Sequence, residues 1–412
     1  MDLAPSLGYP ASEEGRVALE RVRRFLAEVA LPLVEDYERA HPDSAFALEP
    51  DGRLAAPLVE LRRRMQQASA EARLYCPHLP QKDGGLGLSL VDCFYVQEEV
   101  FRHGLRGAQW MLAWTDGPSH LVGAWSPQAR ERYLPDFLAG RVNVAFALTE
   151  PGAGSDLLAL ETSARRAGDG WLLNGRKSLI TGAPFAELAQ VVARVEGAPR
   201  DRLTAFLVPL DAPGAERGPV QQTIMADGQT GELVFSDVRL PAGALIGEEG
   251  TARELAFLWI NWTRTRRGGM CAGLAQHCLS RSVAYAGARQ AFGRPIADLG
   301  PVAVMLSDMY MDVVAMRALS LELLAELDRS EFLRGRVAAA DRRRLAVVKT
   351  WNDEALNRIA DRAIQVHGGR GLLTATGLEK IFRVARNLRI PAGTTETQRA
   401  VIARSLAQDD SA

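Results

Sequence analysis

The chain has little of what marks several protein classes. Only four cysteines occur in 412 residues, Cys76, Cys93, Cys271 and Cys278, and no two stand in a Cys-x-x-Cys pair. That excludes a zinc ribbon or a disulfide framework and fits a reducing cytoplasm. The six histidines are scattered, and His103, His120 and His367 lack the mutual spacing of a metal set or a triad. No uncharged apolar run approaches the ~20 residues needed to cross a bilayer. The opening residues, Met-Asp-Leu-Ala-Pro, show no basic segment followed by an apolar one, so no signal peptide is expected. Neither sign of charge dominates: 49 Lys and Arg face 50 Asp and Glu, a formal net charge of −1. Such balance gives no electrostatic reason to bind nucleic acid or an anionic membrane. The runs Arg62-Arg63-Arg64 and Arg342-Arg343-Arg344 read as solvated helix faces.

What is present is a hydrophobic fraction of 47% beside 24% charged residues, enough for large cores. Up to about residue 140 the apolar positions recur every three or four residues. This predicts helices over 16–34 (stopping near Pro32), 58–72, 89–100 and 126–138, with Ser89 as an N-cap and Pro127 in a first turn. Between about 141 and 250 the period falls to two. Strands are expected at 142–148, 160–166, 170–180, 188–195, 204–209 and 232–238, with Asp169-Gly170 and Asn174-Gly175 as turn signals. From about 251 the helical period returns, over 255–287, 302–327, 342–367, 378–386 and 395–406. The expected class is α+β: an N-terminal helical domain at 1–140, a central antiparallel β domain at 141–250 and a C-terminal helical bundle at 251–412.

The most informative stretch is Ala147-Leu148-Thr149-Glu150-Pro151-Gly152-Ala153-Gly154-Ser155-Asp156, which follows a strand-like run. Its glycines allow backbone to approach a planar or phosphorylated ligand, and Thr149 and Ser155 offer hydroxyls at its edge. The decapeptide resembles the flavin-binding loop of the acyl-CoA dehydrogenase family, whose helical, β, helical layout the whole chain shares. Further segments resemble the family in the same order. Arg289-Gln290-Ala291-Phe292-Gly293 is similar to its Arg-x-x-Phe-Gly segment, whose arginine reaches a flavin pyrophosphate in a neighbouring subunit. By itself Arg289 reads as a cation at a helix C-terminus. Gln365-Val366-His367-Gly368-Gly369 resembles Gln-x-x-Gly-Gly, which approaches the adenine-side phosphates, although a Gly-Gly C-cap needs no ligand. Ile180 and Thr181 resemble the strand that touches the isoalloxazine ring, with Leu179 where the family usually has tryptophan. In Gly393-Thr394-Thr395-Glu396-Thr397-Gln398, Thr394 and Glu396 match family contacts to the ADP portion. Thr395 and Gln398 also have the spacing of a capping box.

The resemblance implies FAD, an acyl thioester of CoA or of acyl carrier protein as substrate, and an electron-transfer flavoprotein as acceptor. It also implies a homotetramer or dimer, since Arg289 would serve a neighbour's cofactor. In the family a carboxylate just before the Gly-Thr of the last helix takes the α-proton. Here that position is Ala392. Some members keep the base on an earlier helix before an arginine, and alignment from Gly273-Leu274-Ala275-Gln276 puts Thr263 there with Arg264 beside it. Neither methyl nor hydroxyl is a base at neutral pH, and losing a general base costs about 10²–10⁴ in rate. The backbone N–H of Ala392 still suits polarising a carbonyl. Ser155, Asn261, Thr263, Arg264, Ala392 and Gly393 are the expected substrate contacts. Arg106 is added for an anionic acyl tail, although solvation alone explains it.

Asp116 is the nearest thing to a relocated base, against a plainer reading as a turn aspartate before Gly117-Pro118. Glu98 and Glu99 are expected to form a surface ion pair with Arg102. Trp110, Trp114, Trp259 and Trp262 read as core residues or as an aromatic wall of the pocket. Three functions follow: an acyl-CoA dehydrogenase with a missing or moved base; a diverted flavoenzyme, either a lyase expelling a group such as sulfinate or a flavin monooxygenase; or a silent FAD-containing binding protein.

Overall fold

The computed structural model describes residues 8–41, 48–330, 332 and 337–409. The absence of a leader was read on the first five residues, which lie outside those described. Ser12 opens the first helix, α1 (Glu13–Phe25), by accepting the Gly15 N–H at 2.9 Å, with Glu13 and Glu14 in the first turn. A π-helical stretch, Leu26–Ala30, leads into α2 (Leu31–Ala40). The stop expected at Pro32 therefore does not occur. The Leu31 N–H bonds back to Leu26 O across the wider turn, and Pro32 falls in the first turn after it, where its missing N–H costs little.

The chain divides into two units, described separately. One comprises Pro32–Gly87 and Trp110–Ile260. It holds α3 (Ala56–Glu71), α5 (Pro127–Leu138) and an eight-stranded sheet; α4 belongs to the other unit. Ser126 caps α5 by accepting the Ala129 N–H at 3.1 Å, with proline in the first turn as the sequence predicts. The strands are β1 (Val144–Ala147), β2 (Ser163–Ala167), β3 (Gly170–Thr181), β4 (Leu188–Val195), β5 (Leu203–Pro209), β6 (Ala215–Val220), β7 (Thr230–Leu240) and β8 (Leu245–Ile246). Their order is β6-β7-β3-β2-β4-β5-β8, with β1 also on β4. Most pairings are antiparallel, but β1 and β2 both run parallel to β4. β1 pairs with Leu188–Val191 and β2 with Arg194 and Val195, so the two strands follow one another along β4 and residues 148–162 loop out between them. That loop contains most of the glycine-bearing decapeptide.

Asn174-Gly175 is a bulge inside β3 and not a turn, while Asp169-Gly170 does lie at the β2–β3 hairpin. β6 escaped the sequence reading because Gly218 and Pro219 interrupt its pattern, and β8 has only two residues. Two buried clusters stabilise the unit. In one, Trp125 stacks on Phe137 at 5.6 Å; in the other, the Trp171 and Phe206 rings meet edge-on at 5.1 Å. Each such side chain contributes about 1.5–3 kcal/mol by burial.

The other unit comprises Met1–Leu31, Leu88–Gln109 and Asn261–Ala412. After α4 (Leu90–Phe101), whose Ser89 cap accepts the Asp92 N–H as expected, come the end of α6 (Ala252–Thr265), whose residues up to Ile260 belong to the sheet-bearing unit, and α7 (Arg267–Ala288). The single helix expected over 255–287 is thus two, parted at Arg266. α8 (Gly300–Arg329), α9 (Ala339–His367), α10 (Leu378–Leu388) and α11 (Thr395–Asp409) complete the bundle, with a small hairpin, β9 (Gln290–Ala291) and β10 (Arg294–Pro295), after α7. α7 lies against α4 so closely that a Cβ on Gly269 would strike Phe94 O, and one on Gly273 would strike Glu98 O. Only glycine at these two positions allows that approach. Glu98 does not pair with Arg102. It is buried and accepts from Arg317 Nε at 2.6 Å and Gln276 Nε2 at 2.6 Å, joining α4, α7 and α8. A buried carboxylate needs such donors, which the surface pairing could not supply. Glu99 is the residue that meets Arg102, at 3.5 Å. Among the described residues no helix is long and apolar enough to cross a membrane.

Candidate functional site

In the sheet-bearing unit the loop after β1 is fixed from beneath. Glu150 accepts the N–H groups of Glu161 (2.6 Å) and Thr162 (3.0 Å) and the ammonium of Lys177 (2.8 Å). Lys177, on β3, is fully buried and also donates to Leu148 O at 3.0 Å. Burial pushes its ammonium down to about 8, against the pull of Glu150. Burial works to raise the Glu150 carboxyl, but Lys177 and the N–H donors outweigh it and hold it below its usual value. A further bond, Ser178 N–H to Thr149 O at 2.9 Å, ties the loop to the same strand. Nothing in the residue pattern singles out Lys177, because a lysine in a strand is normally solvated.

The upper surface of this loop is open. Gly154 and Ser155 are exposed, and their N–H groups have no partner among the described residues. A Cβ on Gly152 or Gly154 would meet nothing within 4 Å. Unspent donors over an open cradle fit a ligand rich in acceptors. On β3, Ile180 is buried and Thr181 half-buried, opposite Thr230. Leu179 between them has φ +57°, is 59% exposed, and donates its backbone N–H to Gln221 Oε1 at 2.7 Å. A leucine held in the left-handed region stores roughly 1–2 kcal/mol of strain, here at the register shift of β3 on β7 between Lys177 and Ile180.

Asp116 is 1% exposed, and its Oδ2 accepts from Arg62 Nη2. Arg62 also donates to Gln229 Oε1 at 2.7 Å and stands over the Phe185 ring at 4.5 Å. The expectation that Arg62 belongs to a solvated face is therefore corrected: α3 turns it inward to neutralise a buried carboxylate, and only Arg63 and Arg64 are exposed. This pairing is a sufficient structural reason for Asp116, with Oδ1 alone left unengaged.

In the helical unit a second polar cluster forms where α6 meets the start of α11. Arg264 donates from Nε to Ala392 O at 3.0 Å and from Nη1 to Asn261 Oδ1 at 2.8 Å. It faces no carboxylate within bonding reach among the described residues, and burial followed by repulsion from Arg267 lowers its guanidinium to about 10. Ala392 and Gly393 both have positive φ, +60° and +88°. The second is where glycine is required, because a Cβ there would run into the Gln398 amide. The Ala392 N–H has no partner among the described residues. The capping-box reading of Thr395 and Gln398 is corrected. Thr394 supplies the cap, accepting the Thr397 N–H at 3.2 Å, and Thr395 instead donates to Glu396 Oε1. Gln398 is 1% exposed with neither Oε1 nor Nε2 bonded. Each unsatisfied buried polar atom costs about 1–3 kcal/mol, so the fold tolerates a sizeable penalty here.

Behind this cluster Lys349 and Asp353, both fully buried, pair at 3.0 Å, with Arg267 at 3.8 Å from the same carboxylate. Thr263 is buried on α6. Arg106 is exposed and acts electrostatically on His277. Arg289 is exposed after α7, and Phe292, at the tip of the hairpin with φ +53°, is 93% exposed. Gln365, Gly368 and Gly369 form an exposed end of α9 where a Cβ on either glycine meets nothing within 4 Å. His367 is packed away from them, stacked on Tyr285 at 4.5 Å. Trp262 is buried under Arg266, while Trp259 stacks on Phe146 at 4.3 Å. No cluster of metal-binding side chains occurs among the described residues.

Comparison with known proteins bears on these clusters. The chain matches three family descriptions in succession: "Acyl-CoA dehydrogenase, N-terminal domain" at residues 12–141, "middle domain" at 145–238 and "C-terminal domain" at 251–407. It is 31% identical over 400 residues to a cyclohex-1-ene-1-carbonyl-CoA dehydrogenase of Syntrophus aciditrophicus, covering 96% of this chain and 90% of that one. A protein of the same name from Geobacter metallireducens is 33% identical over 344 residues, 82% of this chain and 88% of its own. Among solved structures, an acyl-CoA dehydrogenase from Bacillus anthracis complexed with FAD superposes with a TM-score of 0.81 at 26% identity, covering 99% of this chain and 69% of that one.

Proposed function

The chain belongs to the acyl-CoA dehydrogenase family, and from that premise we propose that it is a FAD-dependent oxidoreductase acting on an acyl thioester of coenzyme A. The observation that carries the reading is the glycine-bearing loop with its unspent N–H groups, held rigid by Glu150 and Lys177. In this reading Thr149, Gly154, Ser155, Ile180 and Thr181 hold the flavin end of the cofactor. Arg289, Phe292, Gln365, Gly368, Gly369, Thr394 and Glu396 serve its pyrophosphate and adenine end. FAD, when bound, supplies an acceptor for a hydride.

The chain's own residues prepare the substrate. The Ala392 N–H, without a partner among the described residues, donates to the thioester carbonyl and makes the neighbouring carbon more acidic. Arg264 holds that peptide in place through Ala392 O, and Asn261 fixes the guanidinium. Ser155, Thr263 and Gly393 complete the assigned contacts. No side chain at Ala392 or Thr263 takes a proton at neutral pH, so the reaction with ordinary saturated acyl groups is slow. A second copy of this chain covers the exposed Phe292, Leu372 and Leu373, which are 93%, 74% and 56% exposed. An electron-transfer flavoprotein is the proposed acceptor, and four buried cysteines, none in a disulfide, fit a cytoplasmic setting.

The test is anaerobic titration of the purified yellow protein with a panel of acyl thioesters. Bleaching of the flavin band supports dehydrogenation. A spectral shift without bleaching shows binding with another outcome, such as elimination. A colourless protein that takes up no added FAD overturns the reading.

A further inference from the structure

The start of α11 carries more donors than its own residues use. Gln398 is buried with both amide atoms unbonded, and its Nε2 and Arg264 Nη2 converge on one side of Gly393, the latter 3.2 Å from where a Cβ would stand. Arg264 Nη2 has no acceptor among the described residues. Positive charge is also in excess. Arg267 and Lys349 share one buried carboxylate, Asp353, and Arg264 has no carboxylate within bonding reach among the described residues. The other acids nearby are committed elsewhere: Glu354 meets Arg389 and Arg399, and Glu396 is exposed and held by Thr395. The N-terminal end of a 15-residue helix adds partial positive charge to the same place. A buried cationic cluster of this kind is unfavourable until an anion enters it.

We propose that this cluster binds a carboxylate carried on the acyl portion of the substrate, with Arg264 Nη2 and Gln398 Nε2 donating to it. The inference rests on the thioester reading above and narrows it to dicarboxylic acyl groups. A guanidinium and an amide offer a carboxylate a two-point contact that an alkyl terminus cannot use. The excess charge makes that contact stronger than one between neutral groups.

The experiment measures binding of malonyl-CoA, succinyl-CoA, butyryl-CoA and valeryl-CoA to the FAD-loaded protein, by flavin absorbance and calorimetry under anaerobic conditions. The dicarboxylic thioesters are expected to bind at least about tenfold tighter than the neutral pair. Gln398→Glu, which places a fixed anion beside Arg264, should reverse that order. Should this variant lose its flavin, Gln398→Met serves instead and should reduce the preference to below about twofold. Equal or tighter binding of the neutral thioesters, or an unchanged preference in both variants, overturns the inference and leaves the thioester reading intact. Silence from all four thioesters overturns both.

Discussion

Lys177 reaches Glu150 at 2.8 Å inside the sheet-bearing unit, so an ion pair hidden from solvent decides the shape of an exposed loop. The loop's outer groups stay free for a ligand because its inner groups are fully used.

Lys177→Met should leave Glu150 with backbone donors only and destabilise the protein by about 3 kcal/mol. It also changes the pH dependence. The folded ammonium titrates near 8 and the unfolded one at 10.5, so the unfolded chain binds more protons between these values. This group's contribution to stability therefore rises with pH across that window. Glu150 acts in the acid range: its carboxyl is held low, so its contribution is present at neutral pH and lost as pH falls below 4.5. Urea midpoints of both proteins across pH 7–10.5 check this. Equal alkaline slopes would reject it.

Asp116→Asn should break the pair with Arg62 and cost up to about 3–5 kcal/mol, while substrate-dependent bleaching persists in whatever protein retains FAD. Stability and bleaching are measured on the same preparation. A stable, flavin-loaded variant that no longer bleaches would instead make Asp116 the proton acceptor.

Ala392→Glu should install a carboxylate beside the Arg264 cluster on a backbone already in the left-handed region. Oxidation of a saturated thioester such as butyryl-CoA is expected to rise by about 10²–10⁴, the usual worth of a general base. Single-turnover reduction of the flavin gives the number, and an unchanged rate means the methyl does not face the reacting carbon.

Phe292→Asp should shift the protein toward monomer and loosen its FAD, since the ring is 93% exposed at the tip of the β9–β10 hairpin. Light scattering coupled to size exclusion reads the mass, and flavin fluorescence reads release. An unaltered mass would show that the ring serves no partner.

Much of this was legible in the residues. The bounds of strand β4 are legible to the residue, because Leu188–Val195 is a short, mostly apolar run, buried at all but one position. The three-part layout followed from where the period changes. Other features were hidden by chemistry that sequence does not order in space. Arg62 looked solvated because it stands in a run of three arginines, yet the partner that buries it is 54 positions away. Lys177 carried no periodic signal for the same reason. Gln398 had an adequate local explanation as a cap, and only the bonds made by Thr394 removed it.

The glycines at 269 and 273 and those at 152, 154 and 369 represent opposite kinds of freedom. Packing forbids any larger residue at the first pair, whatever the protein is doing. At the other three the free chain has room for a methyl, so selection for folding alone should let alanine accumulate. A library screened once for soluble expression and once for flavin retention would therefore diverge at those three sites. The divergence would trace the outline of the molecule they cradle.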